Sequence, residues 1–477
     1  MSEQEANPGA VINAVTIDEE APTPSSPQQA VEIADPKPAE EASRKSHFFD
    51  IEAVLALPRD SKILFVTRFI RMFAYGILSV VLVLFLNSLG LTVDQAGWLL
   101  ALTLVGDIFI SLFVTANGDY LGRKKMLVFG SVLMLVAGVA YAVFPSFSVG
   151  NTFNWGLFVL LCLIGVIGVV SPSGNEVGPF TALEQSILTS QIEVSSDRTA
   201  VFAWYGLVGQ LATALGSIVS GWSSSALMSN GNSDLITYRV IAGIYGAIAI
   251  LLIAAFTLLT PRVEFVPKDP AAPQPRRKNP LQGLVLKPES RGIVVQLCCL
   301  FTLDAFAGGM VAASFLSLYF NSKFGVSDGY LGTMLFFTNL FAAASSLAAA
   351  YVVKKVGLIN TMVFTHLPSN ILILLVPFMP NVGWATAMLI ARFSISQMDT
   401  APRNAFVAGI VPAEERTAVI GITNIVRTIG MALGPLLTGY LAQTGHFDAV
   451  FVICGSLKII YDLLLLFSAR KTDMAKK

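Results

Sequence analysis

Twelve apolar runs, separated by short polar segments, set the pattern of the chain. They fall at about 62–87, 96–117, 125–144, 155–176, 199–222 and 237–260, and again at 292–320, 329–353, 358–379, 382–402, 416–443 and 447–469. Each approaches the ~20 residues that carry a helix across a hydrocarbon core. Backbone groups in that core must be paired within the segment, so the runs predict helices. The expectation is an all-α membrane protein with twelve transmembrane helices.

The polar connections alternate in charge. Gly118-Asp119-Tyr120-Leu121-Gly122-Arg123-Lys124-Lys125 joins the second and third runs, a proline-rich segment with Arg262, Lys268, Arg276, Arg277, Lys278, Lys287 and Arg291 joins the sixth and seventh, and the chain closes on Arg470, Lys471, Lys476 and Lys477. Connections on the other side, around Gly90, Ser148, Asn230, Ser327, Asn381 and Gly445, hold few cations, Lys323 the clearest. Lys and Arg beside a span resist translocation, which predicts a multi-pass protein with both termini cytosolic. The domain reading is a disordered cytosolic tail over 1–60, a six-helix bundle over 61–260, a basic linker over 261–291, a second six-helix bundle over 292–470 and a short tail over 471–477. The first segment is rich in Ala, Pro, Glu and Ser and has no basic region leading into an apolar core, so it does not read as a signal peptide.

An internal repeat relates the halves. Asp197-Arg198-Thr199-Ala200-Val201 matches Glu415-Arg416-Thr417-Ala418-Val419, Arg71-x-Phe73-Ala74-x-Gly76 matches Asp304-x-Phe306-Ala307-x-Gly309, and Leu84-Phe85-x-Asn87-Ser88 matches Leu318-Tyr319-x-Asn321-Ser322. Three matches in register order predict two pseudo-symmetric six-helix bundles with a substrate site between them near the midplane.

Composition supports the same class. Hydrophobic residues make up 54% and charged residues 13%, against about 25% charged in soluble domains, and mean hydropathy is +0.68. Formal net charge is zero, which gives no basic field for nucleic acid. Cys162, Cys298, Cys299 and Cys454 all lie in apolar runs and read as small buried hydrophobes, with no metal or cofactor site expected.

Ionisable residues in the middle of spans carry the chemistry. Arg71, Asp107, Asp304, Arg392, Arg427 and Asp462 would each cost about 2.5–3.5 kcal/mol facing lipid, so they must pair or line a wet cavity. Helical spacing groups Arg68, Arg71, Tyr75 and Ser79 in the first span, Arg392, Ser396, Asp399 and Arg403 in the tenth, and Thr423, Arg427, Gly434 and Thr438 in the eleventh. His366, Ser369 and Asn370 form a smaller group, read as an interhelical hydrogen-bond site. The repeat places Arg71 and Asp304 at equivalent positions. They are expected to face the cavity within reach of each other or of a shared substrate, with two separate salt bridges inside the bundles as the alternative. Asp107 and Asp304 are the proton-coupling candidates, and Asp462 is assigned to packing.

The connection at Asp119, Gly122, Arg123 and Lys124 resembles the loop 2–3 signature of the major facilitator superfamily, departing from it at Thr115 and Tyr120. The resemblance implies a gating loop that braces the second helix against the eleventh. Gly430, Gly434 and Pro435 resemble a glycine-proline signature of drug/proton antiporters, displaced from the fifth span to the eleventh, and imply a helix hinge and export. Close helix packing explains the same small residues equally well. Ser171-Pro172-Ser173-Gly174-Asn175-Glu176 reads as a polar helix end, either a gate or an ordinary frayed terminus.

The combined expectation is a monomeric, proton-coupled secondary transporter working by alternating access, exporting an organic anion or an amphipathic metabolite or drug, in the plasma membrane or an organelle membrane. Cationic Arg71, Arg392 and Arg427 favour a carboxylate or phosphate on the substrate. Proton-coupled uptake of a small organic anion is the alternative within transport, and a non-transporting membrane receptor the alternative outside it. The chain has no Gly-x-x-x-x-Gly-Lys-Ser/Thr, His-Glu-x-x-His or Gly-x-Ser-x-Gly stretch, so neither an ATP-driven pump nor an enzyme is expected.

Overall fold

The computed structural model describes residues 51–147, 153–168, 179–192, 195–264, 287–412 and 415–475, and these hold helices and no strand. A short helix α1 (Ile51–Leu55) precedes α2 (Arg59–Ser88), α3 (Val93–Leu121) and α4 (Arg123–Val143). The fourth span comes in two pieces, α5 (Trp155–Ile167) and α6 (Pro179–Gln191), before α7 (Ser195–Ser229) and α8 (Asp234–Thr257) complete the first bundle. The second bundle runs through α9 (Pro288–Met310), α10 (Ala313–Phe324), α11 (Asp328–Val356), α12 (Leu358–Leu375), α13 (Val382–Ser396), α14 (Thr400–Ile410), α15 (Arg416–Gln443) and α16 (Phe447–Ala475).

Ten of these helices are long and apolar enough to cross a membrane. Among the described residues the seventh span is interrupted at Val311 and Ala312, between α9 and α10, and the tenth by a 3₁₀ turn over Gln397–Asp399. Two boundaries shift from those the hydrophobic pattern suggests. The segment drawn to residue 60 holds α1 and the start of α2, where Asp60 is buried and its Oδ1 accepts the Thr260 N–H at 3.1 Å. A second helix, α6, lies beyond the end at 176 that the hydrophobic pattern sets for the fourth span, because its polar and apolar residues alternate as an amphipathic face and not as one apolar run. The Ser171–Glu176 stretch itself lies outside the described residues.

The repeat is visible in the connections. α3 and α4 are joined by the single residue Gly122 at φ +95°, and α11 and α12 by Gly357 at φ +83°. Only glycine takes that left-handed backbone without strain, so each connection has this residue at its one link. Thr92 caps α3 and Ser327 caps α11, each side chain accepting the backbone N–H three residues on.

Between the bundles, α7 packs on α11 and α3 on α15. Both seams are tightest at one face, opposite the face where α2 begins and α16 ends. A β-carbon at Gly97 would lie 2.5 Å from Pro435 O, and one at Gly332 would lie 2.5 Å from Ser217 O. Small residues at these points let the backbones meet. Hydrogen bonds reinforce the far face: Gln443 Oε1 accepts the Val93 N–H at 3.1 Å, Ser225 Oγ accepts the Gly329 N–H at 2.7 Å, and the Ser224 and Tyr238 hydroxyls donate to the Asp328 carboxylate. Large apolar side chains such as Phe109, Phe113, Leu251, Phe364 and Phe467 are exposed around the outside, where lipid would meet them.

Candidate functional site

A cavity of about 480 Å³ lies between the bundles, and its walls are unequal. The first bundle contributes Leu104 and Gln210, while Asp304, Asn339, His366, Arg392, Asp399, Arg403, Asn424, Arg427 and Lys458 all come from the second. The sequence-predicted Asp304, Arg392 and Arg427 therefore meet on one wall, brought there by α9, α13 and α15. Arg71, Tyr75 and Asp107 are not among its lining residues.

Arg71 lies inside the first bundle. It is fully buried, and its Nη1 and Nη2 donate to Glu184 Oε1 and Oε2 at 2.7 and 2.6 Å. This two-pronged geometry matches the guanidinium fork to the carboxylate. The Tyr205 hydroxyl also donates to Glu184, the Thr67 hydroxyl donates to it at 3.2 Å, and the Phe180 ring centroid lies 4.6 Å from the guanidinium carbon. The contact expected between Arg71 and Asp304 is not made: each pairs within its own bundle, because a buried charge is best neutralised by the neighbour already fixed beside it.

Asp107 on α3 and Tyr75 on α2 are also buried in the first bundle, and Asp107 Oδ1 has no hydrogen-bond partner among the described residues. Tyr75 stacks on Tyr245 of α8, their ring centroids 6.4 Å apart.

In the second bundle the ionic partners form a chain. Lys458 Nζ donates to Asp304 Oδ1 at 2.5 Å, Arg403 Nη1 lies 3.5 Å from Asp304 Oδ2, and the same Nη1 is 3.0 Å from Asp399 Oδ2. His366 Nε2 lies 3.8 Å from Asp304 Oδ1 and its Nδ1 lies 2.8 Å from Asp462 Oδ1. The His366 group read as an interhelical hydrogen-bond site is one in the structure, since Asn370 Nδ2 donates to Asp462 Oδ2 at 2.8 Å. Asp462 is wholly buried behind the cavity wall.

Arg392 and Arg427 differ from all of these. Neither has a hydrogen-bond or ion-pair partner among the described residues; Arg392 only rests on the ring of Phe393, 4.8 Å from its centroid. The cavity wall thus carries the cations Arg392, Arg403, Arg427 and Lys458 against the carboxylates Asp304 and Asp399. Such a wall attracts an anion that can offer hydrogen-bond acceptors to the idle guanidinium groups.

Two residues in these networks escape the reading of charged positions in spans. Glu184 falls in what the polar break made look like a loop. The signal was present in Phe180, Leu183, Ile187 and Leu188, spaced as one helical face, and in the repeat, since Glu184 precedes Arg403 by one residue more than Asp197 precedes Glu415. Lys458 stands one turn before Asp462 on the same face of the last span.

The loop at Asp119, Gly122, Arg123 and Lys124 ties three helices of the first bundle together. Asp119 Oδ1 accepts from Arg123 Nε at 3.0 Å, Glu264 Oε2 accepts the Arg123 N–H at 2.6 Å, and Lys124 Nζ donates to Thr257 O and Leu259 O at 2.8 and 2.6 Å. A cation at these last carbonyls of α8 satisfies acceptors that the helix leaves unpaired. The small residues of α15 sit at close approaches. Gly430 abuts the Thr302 backbone, Gly434 the backbone of Phe306 and Gly309, and Pro435 O meets Gly97.

Comparison with known proteins gives a consistent picture. A family model described as Major Facilitator Superfamily matches residues 64–398 and again 297–477. An uncharacterized membrane protein of Saccharomyces cerevisiae, YJR124C, is 30% identical over 85% of this chain and 93% of its own length. The multidrug resistance protein MdtG of Enterobacter lignolyticus is 21% identical over 89% of this chain and 95% of its own. Among solved structures, a bacterial homolog of the human lysosomal transporter Spinster, in an inward-facing and occupied conformation, superposes with a TM-score of 0.64 at 16% identity, covering 86% of this chain and 96% of that one.

Proposed function

The chain belongs to the major facilitator superfamily, and on that premise we propose that it is a proton-coupled secondary transporter that moves a small organic anion by alternating access. The observation that carries the reading is the pair of guanidinium groups, Arg392 and Arg427, without hydrogen-bond or ion-pair partners among the described residues, on a cavity wall whose cations outnumber its carboxylates. A cation held idle in a membrane interior is expensive, and a ligand that pairs with it recovers that energy on binding. The apolar share of the wall, including Leu316, Leu335 and Phe393, suits the body of an amphipathic metabolite or drug.

The conformation supports an inward-facing state. The far face is sealed by backbone contacts and hydrogen bonds, and the fold resembles a transporter solved facing inward. The basic residues Lys124, Lys125, Lys354 and Lys355 lie at the terminal face, which supports a cytosolic placement of that face and of both termini. The plasma membrane is the proposed site and the monomer the proposed working unit. In this mechanism the loop at Asp119, Gly122, Arg123 and Lys124 acts as a gate latch, and α15 flexes at Gly430, Gly434 and Pro435.

Two couplings are open to such a cavity. One is export in exchange for protons; the likeness to a multidrug resistance protein, MdtG, supports a drug-like solute for it. Uptake together with protons is supported by Asp304, whose carboxylate is shared between Lys458, Arg403 and His366.

Purified protein in lipid nanodiscs tests the anion reading. Melting is followed in a panel of small carboxylates and phosphate monoesters beside matched organic cations. Stabilisation by members of the anion set, lost in Arg392→Gln and Arg427→Gln, is expected. Stabilisation by the cations alone would overturn the reading. Uptake into proteoliposomes under pH gradients of either sign then separates the two couplings.

A further inference from the structure

His366 sits between two carboxylates, one inside the bundle and one on the cavity wall. Asp462 Oδ2 accepts from the Asn370 side-chain amide at 2.8 Å, Oδ1 lies 2.8 Å from His366 Nδ1, and the Asn370 amide nitrogen lies 3.1 Å from that same Nδ1. An ionised Asp462 can only accept, at 2.8 Å against the longer Asn370 contact, so it holds the proton of a neutral imidazole on Nδ1 and the lone pair of Nε2 faces Asp304 Oδ1 at 3.8 Å. That arrangement sets a lone pair against a carboxylate oxygen. Adding a proton at Nε2 turns the contact attractive, and the imidazolium then joins Asp462 to Asp304.

A competitor holds the same oxygen. Lys458 Nζ lies 2.5 Å from Asp304 Oδ1, the atom that Nε2 faces. The other charged groups of the cluster are Arg403, between Asp304 and Asp399, and the cavity cations Arg392 and Arg427; Tyr461 meets the imidazole edge to face at 5.9 Å. An anion bound in the cavity draws on Lys458 and the arginines. Asp304 Oδ1 is then released from the ammonium and becomes available to a protonated His366.

We infer that His366, oriented by Asp462, is the proton-binding residue of this transporter, and that its protonation and the binding of an anion in the cavity favour each other. This rests on the anion-transport reading and deepens it: proton and substrate load together, the thermodynamic requirement for cotransport and the opposite of exchange. Asp462 does not line the cavity, so it acts through His366 as a positioning residue.

The chain has three histidines, which permits a direct test independent of any transported substrate. Full-length protein with ¹⁵N-labelled histidine is titrated in nanodiscs, the His366 signal being assigned as the one lost in His366→Gln. The expected result is an Nδ1–H tautomer at high pH, with a titration midpoint that rises at least one pH unit in Lys458→Met, where the competing ammonium is gone, and falls in Asp462→Asn, where the orienting charge is gone. A tenfold change in proton affinity is readily measured on this scale. A His366 that stays neutral from pH 5 to 9 in all three proteins, or whose midpoint does not respond to Lys458→Met, overturns the inference. Should Lys458→Met not fold, Asp462→Asn alone decides, since an unchanged tautomer and midpoint there also overturn it. The titration result stands even if the transported solute proves not to be an anion, so the two readings fail separately.

Discussion

The polar cores of the two bundles occupy repeat-related places and solve opposite problems. In the first, the cation Arg71 comes from the opening span and the anion Glu184 from the second half of the fourth. In the second, the anion Asp304 comes from the opening span and the cation Arg403 from the second half of the tenth. The polarity of the pair is reversed across the pseudo-twofold. The tightness is different too. Arg71 and Glu184 make two short bonds in full burial, whereas Arg403 and Asp304 stand 3.5 Å apart and share partners with Lys458, His366 and Asp399. A closed pair specifies structure; a pair with several competing partners, open to a cavity, can change partners.

The largest effect separating the two should come from breaking the closed pair. Glu184→Ala leaves Arg71 buried with its carboxylate gone and is expected to destabilise the protein by about 3–5 kcal/mol. The check is the melting temperature of detergent-solubilised protein, with partial recovery in the double variant Arg71→Met, Glu184→Leu. A Glu184→Ala protein as stable as the parent would mean that the first bundle is not held in this way. A smaller loss, about 1–3 kcal/mol, is expected for Asp304→Asn, because Arg403 keeps Asp399 and the amide still accepts from Lys458. If the loss matched that of Glu184→Ala, the contrast between a closed and an exchangeable pair would fail. The smallest change in stability belongs to Arg392→Gln. It removes a charge with no hydrogen-bond or ion-pair partner among the described residues, so melting should stay within about 1 kcal/mol of the parent or rise.

Much of this architecture was legible in the chain. The twelve apolar runs, the halves and the polar faces of the tenth and eleventh spans follow from periodicity and self-similarity, and Asp304, Arg392 and Arg427 do share one wall. Partner choice was not legible. Arg71 and Asp304 align in the repeat, but alignment says only that they are equivalent, and equivalent residues on a twofold need not touch. Glu184 was hidden by a local signal, the Ser-Pro-Ser-Gly stretch, that marks the end of a helix in most settings, while Glu184 itself sits in a helix, α6. Asp107 shows the limit from the other side. Its burial follows from its place in an apolar run, yet its position inside the first bundle, away from the cavity wall, depends on how α3 turns against α2 and α5, which packing decides.

The lone glycine between α3 and α4, and its counterpart between α11 and α12, leave no slack at the terminal face. Adjacent α-carbons are held about 3.8 Å apart across a trans peptide, so the ends that meet at Gly122 or Gly357 cannot slide past one another. Each helical hairpin is obliged to travel as one lever. Lys124 extends that lever to the end of α8, so a push delivered at one corner of the first bundle is passed on to three spans at once.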